Sequence, residues 1–496
     1  MIKSTTRLWL IALLVGWIFD LLFWQKTPGI NFAIFVGICL LAGFGLAWQE
    51  GLRPAKGSLW LLLPLVGFTA LSFLRQEPFS LFLDYVLTLS LLALFTSTFL
   101  GGRWVAYNLS DYVIGTVRLC YSVLTRPVQV YLENRRQKHA LETSPVTKSV
   151  TAWRRWSPIV RGVLLTIPIV ILFTSLLAAA DPIFSQGLQN LTAFFNLEQL
   201  AETITRVVLI LILAYQLAGV YLHALVSSTD KTLVSDKPWL VPFLGLTEAS
   251  MVLGGVALLF ISFVLIQIRY FFGGQANITV AGFTYADYAR RGFGELIAVA
   301  VLSLLLYLGL SAITQRKTPG QRRIFSGMGA LLIVLVGVIL VSAFQRLLLY
   351  EQAYGFSRLR TYSHIFMIWL GFLLLFVMFL ELSGRLRYYA FALVVSVLGF
   401  GLTVNLLNVD AFVVQQNIQR AVLSTKLDAG YLTSLSDDSI PALYAYYSDS
   451  QLPTGLHQQI AGILACQNAW QPQSIASQPW QSINMSRVKA QLLLQA

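Results

Sequence analysis

The chain has 496 residues, of which 56% are hydrophobic and 11% charged, with a mean hydropathy of +0.69 and a net charge of +13. That mixture lies far from a soluble domain's and excludes an ordinary water-filled surface around a single core. The positive charge is no argument for nucleic acid, because no basic stretch belongs to a nucleic-acid-binding module.

Eleven apolar runs follow one another: Leu8–Trp24, Ile30–Trp48, Ser58–Leu74, Leu81–Leu100, Pro158–Ala180, Thr203–Val226, Leu244–Ile268, Phe293–Thr314, Ile324–Phe344, Tyr362–Glu381 and Tyr388–Leu407. Each approaches the roughly 20 residues that a helix needs to cross a bilayer. None alternates apolar and polar residues as a barrel strand does. In lipid each span must satisfy its own backbone groups, so the runs predict helices. The first run has no small-residue cleavage site after it; Asp20, Trp24 and Gln25 stand there instead, which predicts an uncleaved span. The expected fold is an all-α polytopic bundle of about 11 spans, a transmembrane domain over 1–407 with a helical extracytoplasmic region over 408–496.

Lys and Arg alternate by loop, 21 on one side against 8 on the other. The positive-inside rule then puts the amino terminus in the cytoplasm and the carboxyl end outside. Most of the excess sits in a basic insertion over 101–157, where Tyr107–Glu133 reads as an interfacial amphipathic helix whose basic end meets anionic lipid. Beyond Leu407 the chain turns polar, and Ser436 reads as a helix cap with Asp437 and Asp438 in the first turn.

Three cysteines and four histidines are too scattered for a disulfide or a spacing-based metal motif, and no phosphate-cradling glycine loop or Walker lysine occurs, so no cofactor is expected. There is no 20–50-residue repeat.

The ionisable residues near the outer ends of the spans carry the functional expectation, since charge at membrane depth costs about 2.5–3.5 kcal/mol and needs a partner or a wet cavity. After the seventh run come Arg269, then Asp287, Tyr288, Arg290, Arg291 and Glu295. Helical spacing would set Asp287, Arg291 and Glu295 on one stripe. The next outer loop holds Arg346, Tyr350, Glu351, Tyr354, Arg358, Arg360 and His364, and Asp410 follows the last span. Asp20, Asp84 and Asp181 fall at outer ends as well. Read functionally, the arginines hold an anionic group while a carboxylate relays protons or binds cations; read structurally, the same residues form an interfacial salt-bridge lattice. Glu248 and Glu381, at inner ends, are expected to reach water.

At these residues the chain resembles a family of uncharacterised bacterial multi-pass membrane proteins, domain of unknown function 4173, with the related 4153. The resemblance rests on Arg269-Tyr270-Phe271-Phe272-Gly273-Gly274, Tyr285–Glu295, Tyr350–Arg360 with His364 and Trp369, and Asn408–Arg420. Asp20–Trp24 with Pro28-Gly29, Ala180-Asp181-Pro182 and Leu435–Asp438 resemble it too, whereas Gly273–Ala281 and the basic insertion depart from it. It implies a multi-pass protein of the bacterial cytoplasmic membrane and no established activity. Three functions stay open: handling of a small ion or anionic solute, a non-catalytic envelope sensor or scaffold with a membrane or envelope protein partner, and an enzyme acting on a lipid-linked sugar or phosphate, for which Asp20 is the faint pointer.

Overall fold

The computed structural model describes residues 5–142, 173–184, 197–228, 241–271, 293–424, 427–470 and 478–495, with single positions between 162 and 186. Among them are ten helices long and apolar enough to cross a membrane. They carry ten of the eleven expected runs; about half of the run Pro158–Ala180 falls outside the described residues.

Helices α1 (Thr5–Phe23) and α2 (Ile30–Gln49) form a hairpin. Asn31 ties its turn, with Nδ2 donating to Leu22 O at 3.0 Å and Oδ1 accepting from Gly29 N at 2.7 Å. The third run is broken into α3 (Lys56–Leu59) and α4 (Leu62–Leu74). Pro64 accounts for the break: it has no N–H to give to Trp60, and its ring crowds that carbonyl. Next come α5 (Pro78–Thr98), α6 (Leu109–Glu142), α7 (Leu197–Leu222), α8 (Leu246–Phe271) and α9 (Phe293–Ile313). Helix α6 packs along α7, where a Cβ at Gly219 would run into the backbone of Val123 and the Tyr215 hydroxyl donates to Leu124 O.

Helix α10 (Pro319–Tyr354) is far longer than its apolar run. A capping box of Thr318 and Gln321 starts it, and Gly355, at φ +85°, stops it. Tyr350, Glu351 and Tyr354, expected in a loop, are therefore helical. Helices α11 (Arg358–Leu382) and α12 (Tyr389–Leu407) complete the spans. Asn408 alone, left-handed at φ +49°, separates α12 from α13 (Val409–Ser424). The tail continues as α14 (Ala429–Thr433), α15 (Ile440–Tyr447), α16 (Thr454–Trp470) and α17 (Met485–Gln495).

Two apolar cores fill the bundle. One gathers α1, α2, α4, α5, α6 and α7, the other α8 to α11. Helix α12 is shared, with Ala392 in the second core and Phe391, Val394 and Leu398 against the first. The outer faces display Leu14, Leu41, Leu63, Met251, Leu258, Leu302 and Leu375. Water would penalise that apolar area at about 25 cal/mol per Å2, and hydrocarbon removes the penalty. The chain is a multi-pass membrane protein.

A third core lies at one end of the bundle, where Val409, Val413, Ile418, Leu443 and Ile460 of the tail pack with Ile365 of α11 and Val404 of α12. Ile30 N donates to Ile483 O at 2.9 Å, and Asn484 Nδ2 to Arg75 O at 2.8 Å, so the tail is docked on this end. At the opposite end Glu381 is buried, not solvated as expected. It accepts from Arg316 at 3.2 Å and Ser326 at 2.6 Å, and the Arg316 guanidinium lies 4.3 Å from the Phe325 ring centre. Glu248 instead remains at the exposed start of α8, accepting from Gly245 N at 2.5 Å.

Candidate functional site

The tail-bearing end is built on three carboxylates and one guanidinium. Glu77 caps α5: Pro78 supplies a fixed φ at the first position, and the Glu77 carboxylate accepts from Phe79 N at 3.0 Å and Ser80 N at 2.6 Å. The N–H groups of Gln76 and Glu77 donate in turn to Asp438 Oδ2, at 2.8 and 2.9 Å, while Ser486 Oγ holds Oδ1. Burial pushes the Asp438 carboxyl up from its ordinary range, against the pull of those three donors and of Arg75. Arg358, first residue of α11, forks onto Asp410 through Nε and Nη2, both at 2.6 Å, and lies 3.9 Å from Glu77. Asp410 is fully buried and accepts also from Ser436 N and Oγ, at 2.8 and 2.5 Å. Ser436 caps the turn Asp437–Ser439 that leads into α15, as its sequence predicts.

From Glu77 a polar strip descends α5 into the bundle. Ser80, Asp84 and Thr88 stand three, seven and eleven positions on, hence on one face, and all are buried. Asn405 of α12 meets the strip, with Nδ2 donating to Asp84 Oδ1 at 2.8 Å. Below Thr88 the same face continues as Leu91 and Phe95.

A second group joins the tail-bearing ends of α10 and α11. His364 Nε2 lies 2.9 Å from Glu351 Oε2, and the imidazole stands edge-on to Phe344 with 4.4 Å between centroids. Glu351 is 1% exposed and His364 13%. Glu351 Oε1 and His364 Nδ1 are buried and have no hydrogen bond among the described residues. The Arg360 guanidinium covers the Tyr350 ring at 4.2 Å and donates to Gly355 O, and Tyr350 in turn packs on Tyr354 at 4.9 Å. Arg420 donates to the carbonyls of Gln352 and Ala353, at 3.1 and 2.8 Å. The two guanidiniums thus meet the carbonyl end of α10, where positive charge is favoured. Next to them a cavity of about 160 Å3 is lined by Tyr354, Ser357, Arg360, Asn417, Arg420, Asp428 and Tyr431. Arg346 is half-buried earlier on α10.

A third group pairs α1 with α7: Arg206 forks onto Asp20 at 2.6–3.1 Å, and Trp24 Nε1 donates to Glu202 at 2.7 Å. Of the other expected site residues, Asp181 is exposed and bonds Ile183 N at 2.8 Å, and Glu295 is exposed in the first turn of α9. The side chains of Arg269, Asp287, Tyr288, Arg290 and Arg291 lie outside the described residues, so the Asp287–Arg291–Glu295 stripe does too. Glu77 and Asn405 had not been singled out, and Asp438 only as a first-turn residue of the tail helix and part of a family-like stretch. Asn405, a lone amide within the apolar stretch Leu402–Leu407, is the one whose sequence context could have signalled it. Among the described residues no three His, Cys, Asp or Glu side chains are grouped as a metal site.

The family described as Domain of unknown function (DUF4153) matches residues 62–446, and the chain belongs to it. Of the two families that the motifs resemble, the match is to the related 4153; it takes in Glu77, Asp84, Glu351, Arg358, His364, Asn405, Asp410 and Asp438, and leaves out Asp20. No curated protein and no solved structure matches the chain.

Proposed function

We propose that this member of the DUF4153 family moves a small ion or anionic solute across the bacterial cytoplasmic membrane, linked to a proton carried by Glu351 and His364. In this reading the amino terminus is cytoplasmic and the tail extracytoplasmic, following the loop charges. The supporting observation is the buried Glu351–His364 pair, whose outer atoms both keep an open hydrogen-bonding position. A purely structural ion pair at this depth would gain from closing both positions, because each open buried polar atom costs about 1–3 kcal/mol. Imidazole is the side chain that gains and loses a proton in the physiological range. A proton taken at Nδ1 releases the one at Nε2 to Glu351 Oε2, and a half-turn of the Glu351 carboxyl carries that proton to the open side, where it is handed on. The cavity bounded by Arg360 and Arg420 has guanidinium N–H donors on its wall, suited to an anionic group.

The test is reconstitution of the full chain in vesicles with a trapped pH-sensitive dye. Under an imposed potential, and with chloride, phosphate and acetate offered in turn, the wild type is expected to dissipate a pH gradient faster than empty vesicles for at least one solute. Glu351→Gln and His364→Asn should return the rate to that of empty vesicles. Equal decay with and without protein across that panel defeats the reading.

A scaffold or sensor role has one observation in its favour: the tail exposes Leu423, Trp470, Trp480 and Leu492, with Leu423 at 90%. Co-purification of a second envelope protein, lost on Trp470→Ser, would support it. The lipid-linked enzyme reading rested on Asp20, and both oxygens of that carboxylate are held by Arg206.

A further inference from the structure

Beneath the ionic layer, α5 and α12 bury three oxygen atoms that have no hydrogen bond among the described residues: Asp84 Oδ2, Thr88 Oγ1 and Asn405 Oδ1. Their residues are each at 0% exposure. Asn405 Nδ2 reaches Asp84 Oδ1 at 2.8 Å and Gly401 O at 3.0 Å. Both donations fix the amide plane, so its oxygen is held in the neighbourhood of the carboxylate. Thr88 stands one turn below Asp84 on the same helix face. Along the helix axis Asp84 lies about 10 Å from Glu77 and Thr88 about 16 Å, both within the hydrocarbon layer.

A lone ionised carboxylate at that depth is costly, and the nearby cations do not pair with it. Arg358 is committed to Asp410 and lies near Glu77, and Arg75 acts on Asp84 only from a distance, without an ion pair. Ionised, Asp84 sets one negative charge among three open oxygens and calls for a positive partner. We propose that Asp84, Thr88 and Asn405 form a binding site for one small monovalent metal cation of sodium's class. Carboxylate, amide and hydroxyl oxygens are hard ligands that suit a hard cation. One unit of charge neutralises Asp84, whereas a divalent ion would leave a net positive charge in a low-dielectric interior and would call for six or more oxygens. Entry is from the tail-bearing end, down Glu77 and Ser80, because Leu91 and Phe95 close the face below. The site uses α5 and α12 alone, so it stands whether or not Glu351 and His364 move protons.

The purified full chain in lipid nanodiscs would be melted in sodium, potassium or choline chloride at equal ionic strength, with equilibrium binding of radioactive sodium in parallel. Sodium is expected to raise Tm by several degrees, saturably, with potassium weaker and choline inert. Asp84→Asn should abolish both the shift and the binding. Thr88→Val, of nearly the same volume, should raise the half-saturating concentration by at least the roughly tenfold that outer-shell partners cost; it carries the test if Asp84→Asn fails to fold. Identical melting in the three salts without saturable binding overturns the proposal and leaves a protonated carboxyl at Asp84. A sodium shift kept intact in Asp84→Asn, or in Thr88→Val should that be the variant that folds, overturns it too.

Discussion

Arg358 and Asp410 show how much one residue pair can hold together here. Asp410 takes two N–H groups of the fork and two donors of Ser436, so α11, α13 and the turn before α15 meet on a single carboxylate. Lysine cannot reproduce a planar fork. Arg358→Lys should therefore lower stability measurably, and Asp410→Ala by about 3 kcal/mol or more, since a guanidinium would be left beside an emptied site. An unchanged Tm for Asp410→Ala would show the fork to be ornamental. Asp438 makes a prediction of opposite sense. Burial raises its pKa above 3.8, so the folded chain holds this proton more tightly than the unfolded one. Its contribution is fullest below 3.8 and falls as pH climbs through the window above that value. Stability followed from about pH 4 to 7 should thus rise more steeply, or fall less, in Asp438→Asn than in the wild type. The ionisable residues were legible in the sequence because charge is rare in apolar surroundings. Their partners were not: Glu77 and Asp438 are far apart in the chain, and residue type alone says nothing about who faces whom.

At the scale of elements, hydropathy located ten spans but misplaced their ends. The apolar run of α10 stops near Phe344 because Gln345 and Arg346 are polar, yet the helix runs on to Tyr354. Composition marks where lipid is, whereas the backbone continues until something stops it, in this case Gly355. That difference moved Glu351 from a loop into a helix and set it one bond from His364. Helix α6 offers a contrast between two glycines. Gly219 of α7 touches the backbone of α6, so a methyl group there must separate the two helices. Gly115 of α6 has open space around its Cβ direction. Gly219→Ala should cost about 1–3 kcal/mol, and Gly115→Ala should be neutral or stabilise by up to about 1 kcal/mol. Equal melting temperatures for the two variants would contradict the close packing of α6 on α7.

For the whole molecule, the decisive property is that apolar side chains fill the interior and also cover the flanks. Composition made this legible from the start. The sharing of α12 between two cores was not legible, since nothing in its pattern says which neighbours it has. Nor does the pattern tell that the tail's core is continuous with α11 and α12. The proposed orientation can be read with the protein's own thiol. Cys466 is exposed on α16. With Cys120→Ser removing the other exposed thiol, a membrane-impermeant maleimide should label Cys466 on intact cells, with no gain after permeabilisation. With Cys466→Ser and Arg385→Cys added to Cys120→Ser, labelling at the opposite end should require permeabilisation. The reverse pattern would invert the orientation.

One left-handed residue, Asn408, is all the slack between a rod that crosses the bilayer and the appendage outside it. The appendage has no tether on which to swing; pulling or twisting it turns the rod. Torque applied at α13 would arrive at Asn405, three residues back, as a change in where its amide points. A binding protein that gripped only the appendage should therefore act as a brake or a crank on the last turn of α12, without ever entering the lipid.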